Sequence, residues 1–316
     1  MGKTIGLTTY SICVRDVAHK QYELNDIYGR TLIEYLKTIG EEELNKYVDD
    51  PIKENLFSIN SVEEKNIFDN EKPQYDIIHF RIKTGDYGEE SEIVEKTSCA
   101  VTHVKGDSEA DVMPFVFSVA VPCGKYSFGV ILLQSYVRNG IVSIVKAKLN
   151  EYIKQIDENL RIVMQPILPK HFINQYINNG VLKSIRLIRY DIPEELTEAL
   201  KINAGVDRTV EERIFRNPIG FIANKKDDLL KVISGEKSYD EVIEIEDFEF
   251  DDLKLEFKMG RRNKIISMKN IDALVINEDI TENVLIESGH PTFESMCKVI
   301  EEDAHSYLVA MGYLEE

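Results

Sequence analysis

The chain is poor in the residues on which small secreted folds, fibres and membrane spans depend. Four cysteines in 316 residues (Cys13, Cys99, Cys123, Cys297) stand far apart with no Cys-x-x-Cys pair. That usage fits reduced core thiols and argues against a disulfide framework or a zinc finger. Seventeen glycines and nine prolines are too few for a collagenous or low-complexity chain. The longest apolar runs, such as Met113 to Val121 and Phe128 to Leu133, stop well short of the roughly 18 residues that cross a bilayer, so no membrane partner is expected. Met1-Gly-Lys-Thr opens no signal-peptide pattern, and the expected location is the cytoplasm.

Bases are scarce as well, 38 against 56 acids for a net charge of −18. A balance so acidic argues against nucleic acid as a partner, but the charge is unevenly spread. Residues 112–190 hold ten bases and three acids, whereas Glu236 to Asp252 holds nine acids and one lysine. Burial of central strands would deplete bases as strongly as acids. The central bases therefore form a candidate binding surface, and the acidic stretch is a candidate to pack against it.

What is present is ordinary globular material, 43% hydrophobic and 30% charged, in alternating strand and helix signals without a repeat. Thr4 to Val14 reads as a strand and Asn25 to Ile39 as a helix stopped by Gly40. Lys46 to Pro73 reads as loop or short helix. Strands are expected at Tyr75 to Lys83, Ile93 to Lys96, Ala100 to Lys105, Met113 to Val121 and Ser127 to Tyr136. A helix follows at Ile144 to Ile156, a strand at Leu160 to Ile167, a short helix from Pro169 to Gly180 and a strand at Val181 to Tyr190. Beyond these lie a strand at Arg213 to Ala223, a helix at Asp227 to Gly235, and a hairpin region at Glu241 to Met268. Shifts of apolar phase there imply irregularities near Asp247 and Asp251. A final helix spans Pro291 to Tyr313. The expected class is α+β: a mixed central β-sheet with helices packed on it, and a C-terminal antiparallel hairpin region closed by a helix. Three segments follow: residues 1–110, an N-terminal α/β region; 111–192, the basic core; and 193–316, the hairpin and helix region.

Two constellations carry chemistry. Glu256-Phe257-Lys258 on a strand, with Asp240, Asp247, Asp251 and Asp252 before it, has the form used by PD-(D/E)xK nucleases, in which two carboxylates hold Mg²⁺ and a lysine polarises water. The solvent face of a half-buried strand explains the same tripeptide, so no cofactor is expected unless the nuclease reading holds, when it is Mg²⁺. Arg138, Lys146, Lys148, Lys183, Arg186 and Arg189 form the candidate nucleic-acid face, with Tyr136, Tyr152, Phe172, Tyr176 and Tyr190 placed to stack on unpaired bases. Cys99, His103, Cys123 and His79 lack zinc-ligand spacing and read as separate thiols and histidines, with no metal expected. Ser288-Gly289-His290 before the last helix could hold an anion, but a plain helix cap by Ser288 or Thr292 explains the stretch.

Four stretches, Asp111 to Pro122, Gly129 to Ser143, Val181 to Arg189 and Gly289 to Ser295, together resemble an uncharacterised bacterial family associated with mobile elements and anti-phage defence loci. The resemblance implies a setting and no mechanism: a cytoplasmic component that works with a partner defence protein or on phage material. The expected function is a non-catalytic binding or assembly protein of such a system, forming a homo-oligomer or a complex, with nucleic acid a further expected ligand. The alternative is the metal-dependent nuclease built on Glu256 and Lys258. The apolar end of the last helix, around Leu308, Val309, Met311 and Leu314, is the expected oligomer contact.

Overall fold

The computed structural model describes residues 4–50, 52–137, 139–167, 170–190, 210–245, 248–259, 262–269 and 277–315. Its contacts divide the chain into two units, residues 1–165 with 276–316, and residues 166–275. This differs from the three expected segments because strands from residues 1–110 and 111–165 share one sheet, and the last helix belongs with them. No helix among the described residues is long and apolar enough to cross a membrane.

The first unit contains β1 (Ile5–Arg15), α1 (Leu32–Glu42), β2 (Tyr47–Asp50), β3 (Asn55–Asp69), β4 (Lys72–Asp86), β5 (Ser91–Val94), β6 (Val101–Lys105), β7 (Met113–Pro122), β8 (Gly129–Tyr136), β9 (Asn139–Gly140), α2 (Val142–Ile156) and β10 (Arg161–Pro166). Its sheet runs β10-β1-β8-β7-β4-β3-β2. From β1 to β2 every neighbouring pair is antiparallel, so the sheet expected to be mixed is dominated by antiparallel pairing. β7 and β8 are buried on both faces, which is why they read as continuous apolar runs.

Lys46 to Pro73, expected to be loop or short helix, forms β2 and β3 instead. The outer half of β3 is exposed and passes through Glu63-Glu64-Lys65, so no inward stripe marks it. Asn70 and Glu71, both at positive φ, make its two-residue turn into β4. α1 starts at Leu32, later than expected, because Thr31 and Glu34 form a capping box. Asn25 donates its side-chain amide to the carbonyls of Pro122 and Gly124 at 2.7 and 2.8 Å. Gly40 lies inside the helix rather than ending it.

Strand alternation assigns the two faces of this sheet. Phe80 and Val62 meet Gly40 of α1, while Tyr75 and His79 meet the last helix. That helix, α5 (Phe293–Ala310), follows β15 (Asn277–Asp279), β16 (Ile286–Glu287) and β17 (His290–Pro291). It is capped by Thr292. Pro291 belongs to β17, and Ser288 and Gly289, at φ 49° and 84°, form the turn between β16 and β17 rather than a helix cap. Met296, Cys297, Ile300, Ala304, Tyr307 and Leu308 are buried along α5. Leu308 is thus core and cannot serve the expected oligomer contact. Of the cysteines expected in a core, Cys13 and Cys297 are buried, whereas Cys99 is exposed.

The second unit contains α3 (Lys170–Asn179), β11 (Val181–Arg189), β12 (Glu211–Arg216), α4 (Phe221–Ser234), β13 (Asp252–Met259) and β14 (Arg262–Ser267). Its antiparallel sheet runs β12-β11-β13-β14. One face buries Ile185, Leu187, Leu253, Leu255, Phe257 and Ile266 together with Ile173, Tyr176 and Leu229 from α3 and α4. The strand expected to reach Ala223 ends at Arg216, and Gly220 at φ 87° starts α4 in its place. Asp240–Val242 forms a 3₁₀ turn, and residues 243–245 and 248–251 are irregular chain rather than a hairpin arm. Pro169, Asp247, Gly260 and Arg261 lie outside the described residues.

Candidate functional site

The residues singled out in the sequence fall in different places. Lys146 and Lys148 are on α2 of the first unit. Lys183, Arg186 and Arg189 are on β11 of the second, and Arg138 lies outside the described residues. Lys146 is exposed, but Lys148 is buried with its ammonium 2.8 Å from Glu151. Arg186 and Arg189 are three apart on a strand, so they project from opposite faces. Among the intended stacking residues, Tyr136, Tyr152 and Tyr176 are buried, and the Phe172 side chain lies outside the described part. Within each unit, therefore, Lys148 and the buried tyrosines offer no surface to a nucleic acid, and Arg186 and Arg189 do not share a face.

The second unit does bring two of the candidates together. On the face of its sheet opposite α3 and α4, the strand registers lay out a grid of side chains. Arg216, Ser184, Glu256 and Ile265 stand in one row, and Ile214, Arg186, Lys254 and Ser267 in the next. Glu256 accepts the Ser184 hydroxyl at 2.7 Å and lies 3.4 Å from Arg186. Those two contacts, the hydroxyl first, hold its carboxyl below the usual range. Arg186 also reaches Glu212 at 3.5 Å. The carboxylate expected to be either a metal ligand or a solvated group is thus a structural acceptor at the centre of a charge network.

Asp252 shares this face with Glu256 but stands four residues away, roughly 13 Å along a strand. It is buried, and it takes the Ser267 hydroxyl at 2.9 Å. Asp251 is committed to the Tyr190 backbone N–H at 2.7 Å. Asp251 and Asp252 therefore do not converge on Glu256. Lys258 is exposed two residues beyond. On the other face, Arg189 lies 3.7 Å from Glu211 and over the Phe248 ring. It lines a groove of about 750 Å³ with Asp240, Glu241, Glu244 and Glu249, so the acidic stretch does face one of the central bases.

A second polar cluster gave no sequence signal. In the first unit His79 Nδ1 is 2.7 Å from Ser118 Oγ, and Nε2 is 3.2 Å from Glu301, which also binds Lys65 at 2.6 Å. His79 and Ser118 are fully buried. Burial pushes the histidine down to about 4, and the neighbouring carboxylate favours the proton on Nε2, so Ser118 donates to Nδ1. The order Ser-His-Glu is that of a hydrolase triad, but no substrate reaches an enclosed serine, and the cluster ties α5 to the sheet. The other residues weighed for metal are scattered: His103 contacts Glu109 at 3.0 Å, and Cys123 sits at the end of β7 with its N–H on Gln74 O.

No family model matches this chain, and no curated protein shows significant similarity to it.

Proposed function

We infer that the protein is a non-catalytic binding and assembly component, set by the resemblance described above in a bacterial anti-phage defence system. The observation that supports this most is the face of the second unit's sheet on which no described helix packs. Arg186 stands between Glu212 and Glu256 with Ile214 and Lys254 on its two sides, and Ile265 ends the Glu256 row; both isoleucines are 42% exposed. Paired charges on a rigid sheet with some aliphatic surface suit a protein partner of matching charge pattern, because such charges fix register and reject mismatched surfaces. Phosphate backbones call for unpaired cations, and among the described candidates only Lys146 and Lys183 have no ion-pair partner.

Co-expression with the product of the neighbouring gene in the defence locus tests this reading. Co-purification that is lost in Lys254→Glu/Lys258→Glu, with the melting temperature kept, is the expected result. Two outcomes overturn it. Tight, salt-sensitive binding of labelled DNA or RNA that Arg186→Glu abolishes would put nucleic acid in the partner's place. A Mg²⁺-dependent cleavage lost in both Glu256→Ala and Lys258→Ala would restore the nuclease alternative.

A further inference from the structure

We propose that β12 is a self-association edge, along which two copies of the chain pair antiparallel about a two-fold axis at Ile214 and join their four-stranded sheets into one. The inference rests on the assembly reading above and names one of its partners, a second copy.

β12 ends its sheet, and among the described residues it pairs only with β11. The hydrogen-bond phase of that pairing is fixed by Asn217, whose N–H donates to Lys183 O at 2.8 Å. This contact continues the register in which Ser184 faces Arg216. Bonded and non-bonded residue pairs alternate along an antiparallel ladder. Residues 211, 213, 215 and 217 therefore turn their amides toward β11, and Glu212, Ile214 and Arg216 turn theirs outward. Sheets normally blunt such an edge with charged side chains, proline, a bulge or a cover, and β12 has charges at Glu211, Glu212, Arg213 and Arg216, but they are of both signs and can pair. Here the middle of the strand carries Ile214 at 42% and Phe215 at 45% exposure.

Symmetry then selects the register. In an isologous antiparallel pair the axis is normal to the sheet, so residues of one face oppose residues of the same face. Outward amides must also meet outward amides. Centring on Glu212 or Arg216 sets like charges together at the axis, and centring on Arg213 sets two guanidinium groups there. Centring on Phe215 leaves Glu212 opposite Pro218. Centring on Ile214 places Ile214 against itself and Glu212 against Arg216 at both ends, with Arg213 opposite Phe215. Only this register opposes Glu212 and Arg216, which flank the central residue on the same face, with their complements, and it closes roughly six backbone hydrogen bonds.

Light scattering of the full-length chain over a concentration series reads the result as mass. The wild type reaches the mass of two chains. Glu212→Arg and Arg216→Glu each set like charges at both ends of the pairing, and each variant alone stays at the mass of one chain. An equimolar mixture of the two returns to the mass of two chains, because in the mixed pair each introduced charge meets its opposite. Ile214→Pro removes the central outward N–H without touching the ladder to β11, and it gives one-chain mass with an unchanged melting temperature. A wild type with one-chain mass at every concentration overturns the proposal, as do single variants that keep two-chain mass, or well-folded variants whose mixture is not restored. Failure here leaves the partner binding tested by co-purification standing.

Discussion

Replacing Gly40 by alanine sets two effects of known size against each other. Within α1, alanine is the better helix former by at most about 1 kcal/mol. A Cβ at this position meets Phe80 Cε1 at 2.6 Å and Val62 Cγ2 at 2.9 Å, where carbon atoms prefer about 3.5–4.0 Å. Relief would require the Phe80 ring to move, but it is stacked on Phe117 with centroids 4.7 Å apart and planes within 5°, and both rings are buried. Overpacking of this kind costs about 1–3 kcal/mol. The net expectation is a loss of about 1–2 kcal/mol, a fall of roughly 2–8 °C for a unit of this size. Calorimetry on the full chain measures it. Val62→Ala opens space on one side, so Gly40→Ala should cost less in that background than alone. A melting temperature at or above the wild-type value would refute the close approach of α1 to the sheet.

Other consequences follow from the same packing. Ile300→Asp should cost several kcal/mol in urea unfolding, because Ile300 is fully buried and a carboxylate there loses its hydration with nothing in exchange. Truncation after Asp303 removes Ala304, Tyr307 and Leu308 from the core; circular dichroism should show an unfolded first unit rather than a folded chain of altered mass. Glu256→Ala strands Ser184 and Arg186 and should lower stability by about 1 kcal/mol, while Lys258→Ala stays within about 0.5 kcal/mol. His79 is held down to about 4, so folding favours its neutral form. That stability is whole above the ordinary value of 6.5 and is lost as pH falls from there toward 4, by about 3 kcal/mol in all. Urea titrations at pH 7 and pH 5 should show the loss in the wild type and a flatter response in His79→Gln.

Much of the fold was legible where burial is two-sided or strictly periodic. β7 and β8 announce themselves as apolar runs, and α1, α2 and α5 by stripes such as Leu32, Ile33, Leu36 and Ile39. β3 was not legible, since its outer half faces water and its Asn70-Glu71 hairpin turn lacks the glycine that usually marks one. Gly40 misled because a glycine that stops a helix and one that admits a phenylalanine ring look alike in sequence. The candidate site was half legible. The register that brings Arg186 to Glu256 joins residues 70 apart. The separation of Arg186 from Arg189 needed only the two-residue period of a strand, which the count of bases had passed over. The Ser118, His79 and Glu301 cluster draws on residues far apart in the sequence and leaves no local signal.

The claim that the second unit self-associates along the edge of its sheet is tested most directly by amide hydrogen exchange along β12, followed in dilute and in concentrated protein. Glu212, Ile214 and Arg216, whose amides face outward, are expected to become protected on concentration, while Arg213 and Phe215, already bonded to β11, hardly change. Free-strand exchange rates at Glu212, Ile214 and Arg216 in both samples would contradict it.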